Sequence, residues 1–150
     1  MSTIKLDVVT PERVILSREV EFAVIPTGAG EIGVLPRHTE LAATVKSGIV
    51  KVRIPDGEDF LFVANGFVQV RPDQITLLVD SAELPAMIDV NRAEKAKERA
   101  ENLLREQRDH IDVARAEAAI KRAIFRIEVV DLSNKAGRIL ENEIHRSAGQ

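Results

Sequence analysis

The chain has 150 residues, 45% of them apolar and 3% aromatic, with no cysteine and a formal net charge of -3. This length supports one ordinary domain or a small domain with an appendage. The missing thiols exclude a disulfide scaffold, a thiolate metal site and a cysteine nucleophile. The acidic balance gives nucleic acid no bulk attraction, and no apolar run nears the roughly 20 residues that cross a bilayer. No basic region followed by an apolar stretch opens the chain, so no secretory signal is expected and membrane association is expected only through partners.

Up to about residue 85 the apolar residues alternate in short runs. Ile4, Leu6 and Val8 form one set, and Val20, Phe22 and Val24 a second. Val50, Val52 and Ile54 follow, then Phe60 and Phe62, then Val68 and Val70, then Ile75, Leu77 and Val79. Period two over such runs predicts half-buried strands. Thr10-Pro11, Pro55-Asp56-Gly57, Asn65-Gly66 and Arg71-Pro72-Asp73 read as the turns between them. Many short strands with dense turns predict an antiparallel β-sandwich or barrel over residues 1–85.

Inside that region, Gly30 to Leu41 packs two glycines, a proline and a histidine between two apolar runs. It reads as a tight turn, a short strand and a shaped loop that presents Glu31 and His38 outward as a contact surface. Taken alone, those two side chains read more simply as solvated. Acid–base chemistry would need a nucleophile or bound substrate beside them, and the sequence offers none.

After Pro85 there is no proline, and no glycine until Gly137. Asp89 is a plausible N-cap for a helix starting at Val90, with Ala93, Ala96, Ala100, Leu103 and Leu104 on one face. A second helix carries Val113, Ala116, Ile120, Ala123, Ile124, Ile127 and Val130, with Asp109 or Asp112 as its cap. Alanines on both stripes let two helices approach closely, so residues 86–132 are expected to form an antiparallel hairpin. Gln107-Arg108-Asp109-His110 holds no strong breaker, so a nearly continuous helix is the competing conformation and a physical basis for a switch. Residues 133–150 read as a polar tail, either disordered or a short helix around Ile139, Leu140 and Ile144.

Arg92 and Arg99 share a face of the first helix, and Arg122 and Arg126 a face of the second. A closed hairpin would converge four guanidinium groups, a chemistry suited to phosphate, with Glu83 and Asp89 placed to accept hydrogen bonds from a base or ribose. By themselves these are ordinary solvated helix faces, or a surface for an acidic protein. Gly28-Ala29-Gly30-Glu31-Ile32-Gly33 has the letters of a dinucleotide fingerprint but opens a strand, so that motif's mechanism is absent. His38, His110 and His145 are scattered, without metal-ligand spacing, and Glu141 and Glu143 sit in the polar tail.

The ordered blocks Val8-Val9-Thr10-Pro11, Gly30 to Leu41, Val63 to Val70 with Pro72-Asp73, Ile75 to Leu78, Ile88 to Ala93, Lys97 to Glu101, and Arg115-Ala116-Glu117 to Lys121-Arg122-Ala123 resemble the epsilon subunit of bacterial F-type ATP synthase. The resemblance runs from about residue 3 to residue 131. It implies a non-catalytic central-stalk subunit, peripheral on the cytoplasmic face of the bacterial membrane. Its sandwich would grip the gamma subunit and rest on the c-ring through Glu31 and His38. Its hairpin, when extended, would reach the alpha and beta subunits and block ATP hydrolysis. No cofactor is required; ATP is a regulatory ligand in some members. The residues matching that ATP site are Glu83, Ile88, Asp89, Arg92, Ala93, Arg99, Arg122 and Arg126. The runner-up is a free-standing ATP-sensing module, and a small hydrolase comes third. Arg37 and Asn65 stand where many members carry glycine, and the tail beyond Leu132 is longer than the family pattern.

Overall fold

Alternating branched residues build the first eight elements, and an alanine-rich, proline-free stretch builds the last two. The computed structural model describes residues 2–106, 110–137 and 140. The strands are β1 (Ile4–Val9), β2 (Val14–Val20), β3 (Phe22–Thr27), β4 (Gly30–Val34), β5 (Leu41–Val45), β6 (Gly48–Ile54), β7 (Gly57–Val70) and β8 (Gln74–Glu83). A single 3-10 turn (Pro85–Met87) leads to α1 (Val90–Glu106) and α2 (His110–Ala136).

The strands run β2-β1-β8-β7-β5-β3-β4, with β6 bridging β3 and β7. β7 pairs with β6 through Gly57–Val63 and with β5 through Gly66–Val70, so one long strand serves both layers. β3 also pairs with both β5 and β6, which closes a ring of four strands. Pairing is antiparallel except between β1 and β8, which run parallel. Ile4, Leu6, Val8, Ile25, Leu61, Val63, Ile75 and Leu77 fill the space between the layers, all completely buried.

Several expectations need correction. Asn65-Gly66 is no turn: both residues lie within β7, and Gly66 is where its partner changes from β6 to β5. Glycine is required there because a Cβ would stand 2.1 Å from the Leu78 carbonyl oxygen. Val20, Phe22 and Val24 do not share a strand or a face. The chain bends at Glu21, and β3 buries Ala23, Ile25 and Thr27 instead. β5 went unrecognised because Leu41-Ala42-Ala43-Thr44-Val45 has small residues where alternation would need bulk.

The helices pack side by side, and the residues of α1 that are buried are Ala93 and Ala100. Ala116 and Ala123 are buried on α2, so both helices offer small residues seven positions apart, which permits close approach. Leu103 and Ile124, placed on the apolar stripes by spacing, are 49% and 42% exposed. Val129 and Phe125 do that work: Val129 packs with Phe62 and Ala64, joined by Ile49, Phe60, Ile88 and Phe125. This second cluster fixes α2 on the outer face of β6 and β7.

α2 continues past Leu132 to Ala136, and Gly137 at φ 97 ends it in the left-handed region. The expected hinge across Gln107–His110 lies outside the described residues, except that the His110 backbone opens α2. The Asp109 and Asp112 side chains, Ile139, Glu141, Glu143, Ile144 and His145 also lie outside them. Among the described residues no helix is long and apolar enough to cross a membrane, and no group of three or more His, Asp or Glu is placed to hold a metal.

Candidate functional site

The site begins where β8 ends. Glu83 is the last residue of β8, and Leu84 behind it is buried. The 3-10 turn redirects the chain, with Met87 N–H donating to the Leu84 carbonyl at 2.9 Å and Ile88 N–H to the Pro85 carbonyl at 3.1 Å. Asp89 then starts α1. Its Oδ1 accepts from the Arg92 N–H at 3.1 Å, and its carbonyl accepts from the Ala93 N–H at 3.0 Å. A side-chain acceptor at this position satisfies a donor that the first turn leaves orphaned. Asp89→Ala should therefore cost about 1 kcal/mol, read as a lower urea midpoint; an unchanged midpoint would deny the cap.

α1 carries Arg92, Ala93, Ala96 and Arg99 along one face. α2 brings Arg126 across from the other side. Its Nε donates to Glu83 Oε1 at 2.8 Å, and its guanidinium lies 4.5 Å from the centroid of the Phe62 ring. Phe62 thus seats α2 and stacks the arginine. Around these groups lies a cavity of about 440 Å³. Seven of the eight residues expected there line it: Glu83, Ile88, Asp89, Arg92, Ala93, Arg99 and Arg126. Arg122 is not in the lining, whereas Met87 and Ala96 are. Ala96 was legible as a helical neighbour of Arg92 and Arg99; Met87 depends on the 3-10 turn, which no sequence pattern announced.

The volume falls within the range of small-molecule sites. Three guanidiniums face two carboxylates, one of which Arg126 already engages, and the first turn of α1 opens beside them. Bidentate donors and a helix N-terminus together suit a phosphate-bearing ligand.

The two other predicted contacts sit elsewhere. Glu31 belongs to β4, paired with Pro26, and is exposed. His38 lies in the following loop, half-buried, with its N–H donating to the Leu35 carbonyl at 3.2 Å and Nδ1 2.7 Å from the Thr39 carbonyl oxygen. Beside it Arg37 adopts φ 65, a conformation glycine enters without strain.

A third feature escaped the sequence reading. Leu78 pairs with Phe67 on one side and Val9 on the other, and Leu78 and Phe67 are 54% and 64% exposed. The signal was present: if Ile75, Leu77 and Val79 face inward, Leu78 must face out.

Fold and site together define a two-part protein, a sandwich with an apolar outer stripe and a helical hairpin closing a basic cavity. The ATP synthase delta/epsilon chain β-sandwich domain matches residues 3–85, and the long α-helix domain of the same chain matches residues 87–131. The ATP synthase epsilon chain of Staphylococcus aureus (strain JH9) is 44% identical over 133 residues, covering 88% of this chain and 99% of that one. A chain in the Euglena gracilis mitochondrial ATP synthase OSCP/F1/c-ring structure aligns with TM-score 0.72 at 25% identity, covering 82% of this chain and 78% of its own. A chain of the Tetrahymena thermophila mitochondrial ATP synthase central stalk/c-ring shares the fold, with TM-score 0.57 at 10% identity, covering 86% and 97%. The chain belongs to the ATP synthase delta/epsilon family, as an epsilon-type subunit that is not itself catalytic.

Proposed function

We propose that this chain works in the central stalk of a proton-translocating F-type ATP synthase, at the cytoplasmic face of a bacterial membrane. Its sandwich joins the gamma subunit to the c-ring, and its hairpin restrains ATP hydrolysis when it extends toward the alpha and beta subunits. ATP in the basic cavity holds the hairpin folded. One observation carries the regulatory part: the cavity is lined from β8, the 3-10 turn, α1 and α2 at once, so it exists only while α2 lies against the sandwich and α1 against α2. A ligand confined to that state shifts the equilibrium toward it.

The apolar stripe of Val9, Leu78 and Phe67 is the surface that supports a gamma contact, since an exposed cross-strand patch of this kind is costly without a cover. Glu31 and His38 support the c-ring contact from a different part of the sandwich.

Adding the chain to a synthase stripped of its epsilon subunit should lower ATP hydrolysis, and the Glu31→Ala/His38→Ala double variant should pump fewer protons per ATP while melting at the parent temperature. Full pumping by the double variant would remove the c-ring contact. Failure to co-purify with gamma, with ATP binding kept, would favour the free-standing sensor instead.

A further inference from the structure

The helical hairpin packs on the outside of β7, through Phe62, Ala64 and Val129. Leu140 does not join that cluster. It is 0% exposed and belongs to the interior of the sandwich, with residues such as Ile54 and Leu61. Its N–H donates to Asp59 Oδ2 at 2.7 Å. Asp59 is also fully buried, and by strand alternation it shares the inward face of β7 with Leu61 and Val63. Its other oxygen accepts from the Phe60 N–H at 2.8 Å.

Leu140 therefore lies on the opposite side of the sheet from α2. Gly137, at φ 97 directly after the last helical residue, ends α2 before that point. A carboxylate in an apolar interior is costly unless hydrogen-bonded. Within its own strand Asp59 finds a donor for one oxygen; the second is supplied by residue 140, 81 positions away. Residue 140 also lies beyond the span matched to the family's helical domain, which ends at residue 131.

We propose that the Asp59 end of the sandwich is a docking site for this chain's own Leu140, a plug beyond α2, and that this docking holds α2 against β7. Its regulatory consequence rests on the hairpin reading above: the plug must be withdrawn before the hairpin can extend, so it biases the subunit toward the folded, permissive form.

Amide hydrogen exchange on the full chain tests the docking without any synthase. Leu140→Ala should speed exchange along α2 by about tenfold or more while β1 and β8 stay within about twofold of the parent, the pattern of a locally opened unit. Gly137→Val keeps the plug but strains its approach, since no atom crowds that site and only the backbone conformation is opposed. It should produce the same selective loosening, and it serves if Leu140→Ala does not fold. Unchanged α2 exchange in Gly137→Val, or strands loosening in step with α2, would overturn the proposal and leave Leu140 as ordinary core filling. In reconstituted synthase the loosened variants should inhibit hydrolysis more strongly. Parental inhibition by a chain with a selectively loosened α2 would overturn the regulatory consequence alone.

Discussion

Gly66→Ala should destabilise the sandwich by about 3 kcal/mol, because overpacking forces backbone shifts of that cost. A Cβ on residue 66 would lie 2.1 Å from the Leu78 carbonyl oxygen and 2.6 Å from Val79 Cα. Both are backbone atoms of β8, which cannot retreat without giving up its register with β7. Gly33→Ala is the control. Its Cβ would meet two ring atoms of Phe22 at 3.1 Å, and a ring can shift where a paired strand cannot. Urea titration should give a much lower midpoint for Gly66→Ala than for Gly33→Ala; equal midpoints would mean that the close approach of β7 and β8 is not what stabilises the sandwich.

Phe62→Ala should cost about 3–5 kcal/mol, the usual range for emptying a buried aromatic site. The loss has two parts. Phe62 is the fully buried aromatic of the cluster that seats α2, with Ala64 and Val129 as its fully or nearly buried partners. It also supplies the ring face beneath the Arg126 guanidinium. Its removal should free α2 and scatter one wall of the basic cavity, so any thermal stabilisation by ATP should vanish with it. Leu103→Ala, at a residue 49% exposed, should stay within about 0.5 kcal/mol of the parent. A Phe62→Ala chain that keeps its ATP response would show that α2 is held by something other than this cluster.

Period two was enough to read most of the sandwich, because Ile4, Leu6 and Val8 or Ile75, Leu77 and Val79 must all face one core. It failed where a strand changes layers. Val20 and Phe22 keep the alternation on paper, but the bend at Glu21 rotates the faces between them. Asn65-Gly66 has the letters of a hairpin turn, yet the packing of β8 on β7 gives that glycine another purpose. In the hairpin, spacing identified Ala93, Ala100, Ala116 and Ala123, the small residues that face a partner helix. It misplaced Leu103 and Ile124 because α2 has two buried sides, one toward α1 and one toward β7, and the second is set by Phe125 and Val129. At the site, residue type and helical spacing brought Arg92 and Arg99 together. The expected hairpin and the family resemblance added Glu83 and Arg126, and the packing of α2 beside the end of β8 brings those two into contact. The Leu140 contact was illegible, since nothing in a lone leucine and a distant aspartate announces a buried hydrogen bond.

The most direct test of the account is an ATP titration of the full isolated chain followed by amide NMR. A ligand that binds one conformation stabilises it by about 2.7 kcal/mol at a hundredfold excess over its dissociation constant. Saturable shifts are expected at Glu83, at Ile88 to Ala93, and at Arg99 and Arg126, together with slower exchange along α2, all lost in Arg126→Ala. Millimolar ATP that moves none of these amides, or moves only the Gly30 to Leu41 segment, would contradict it.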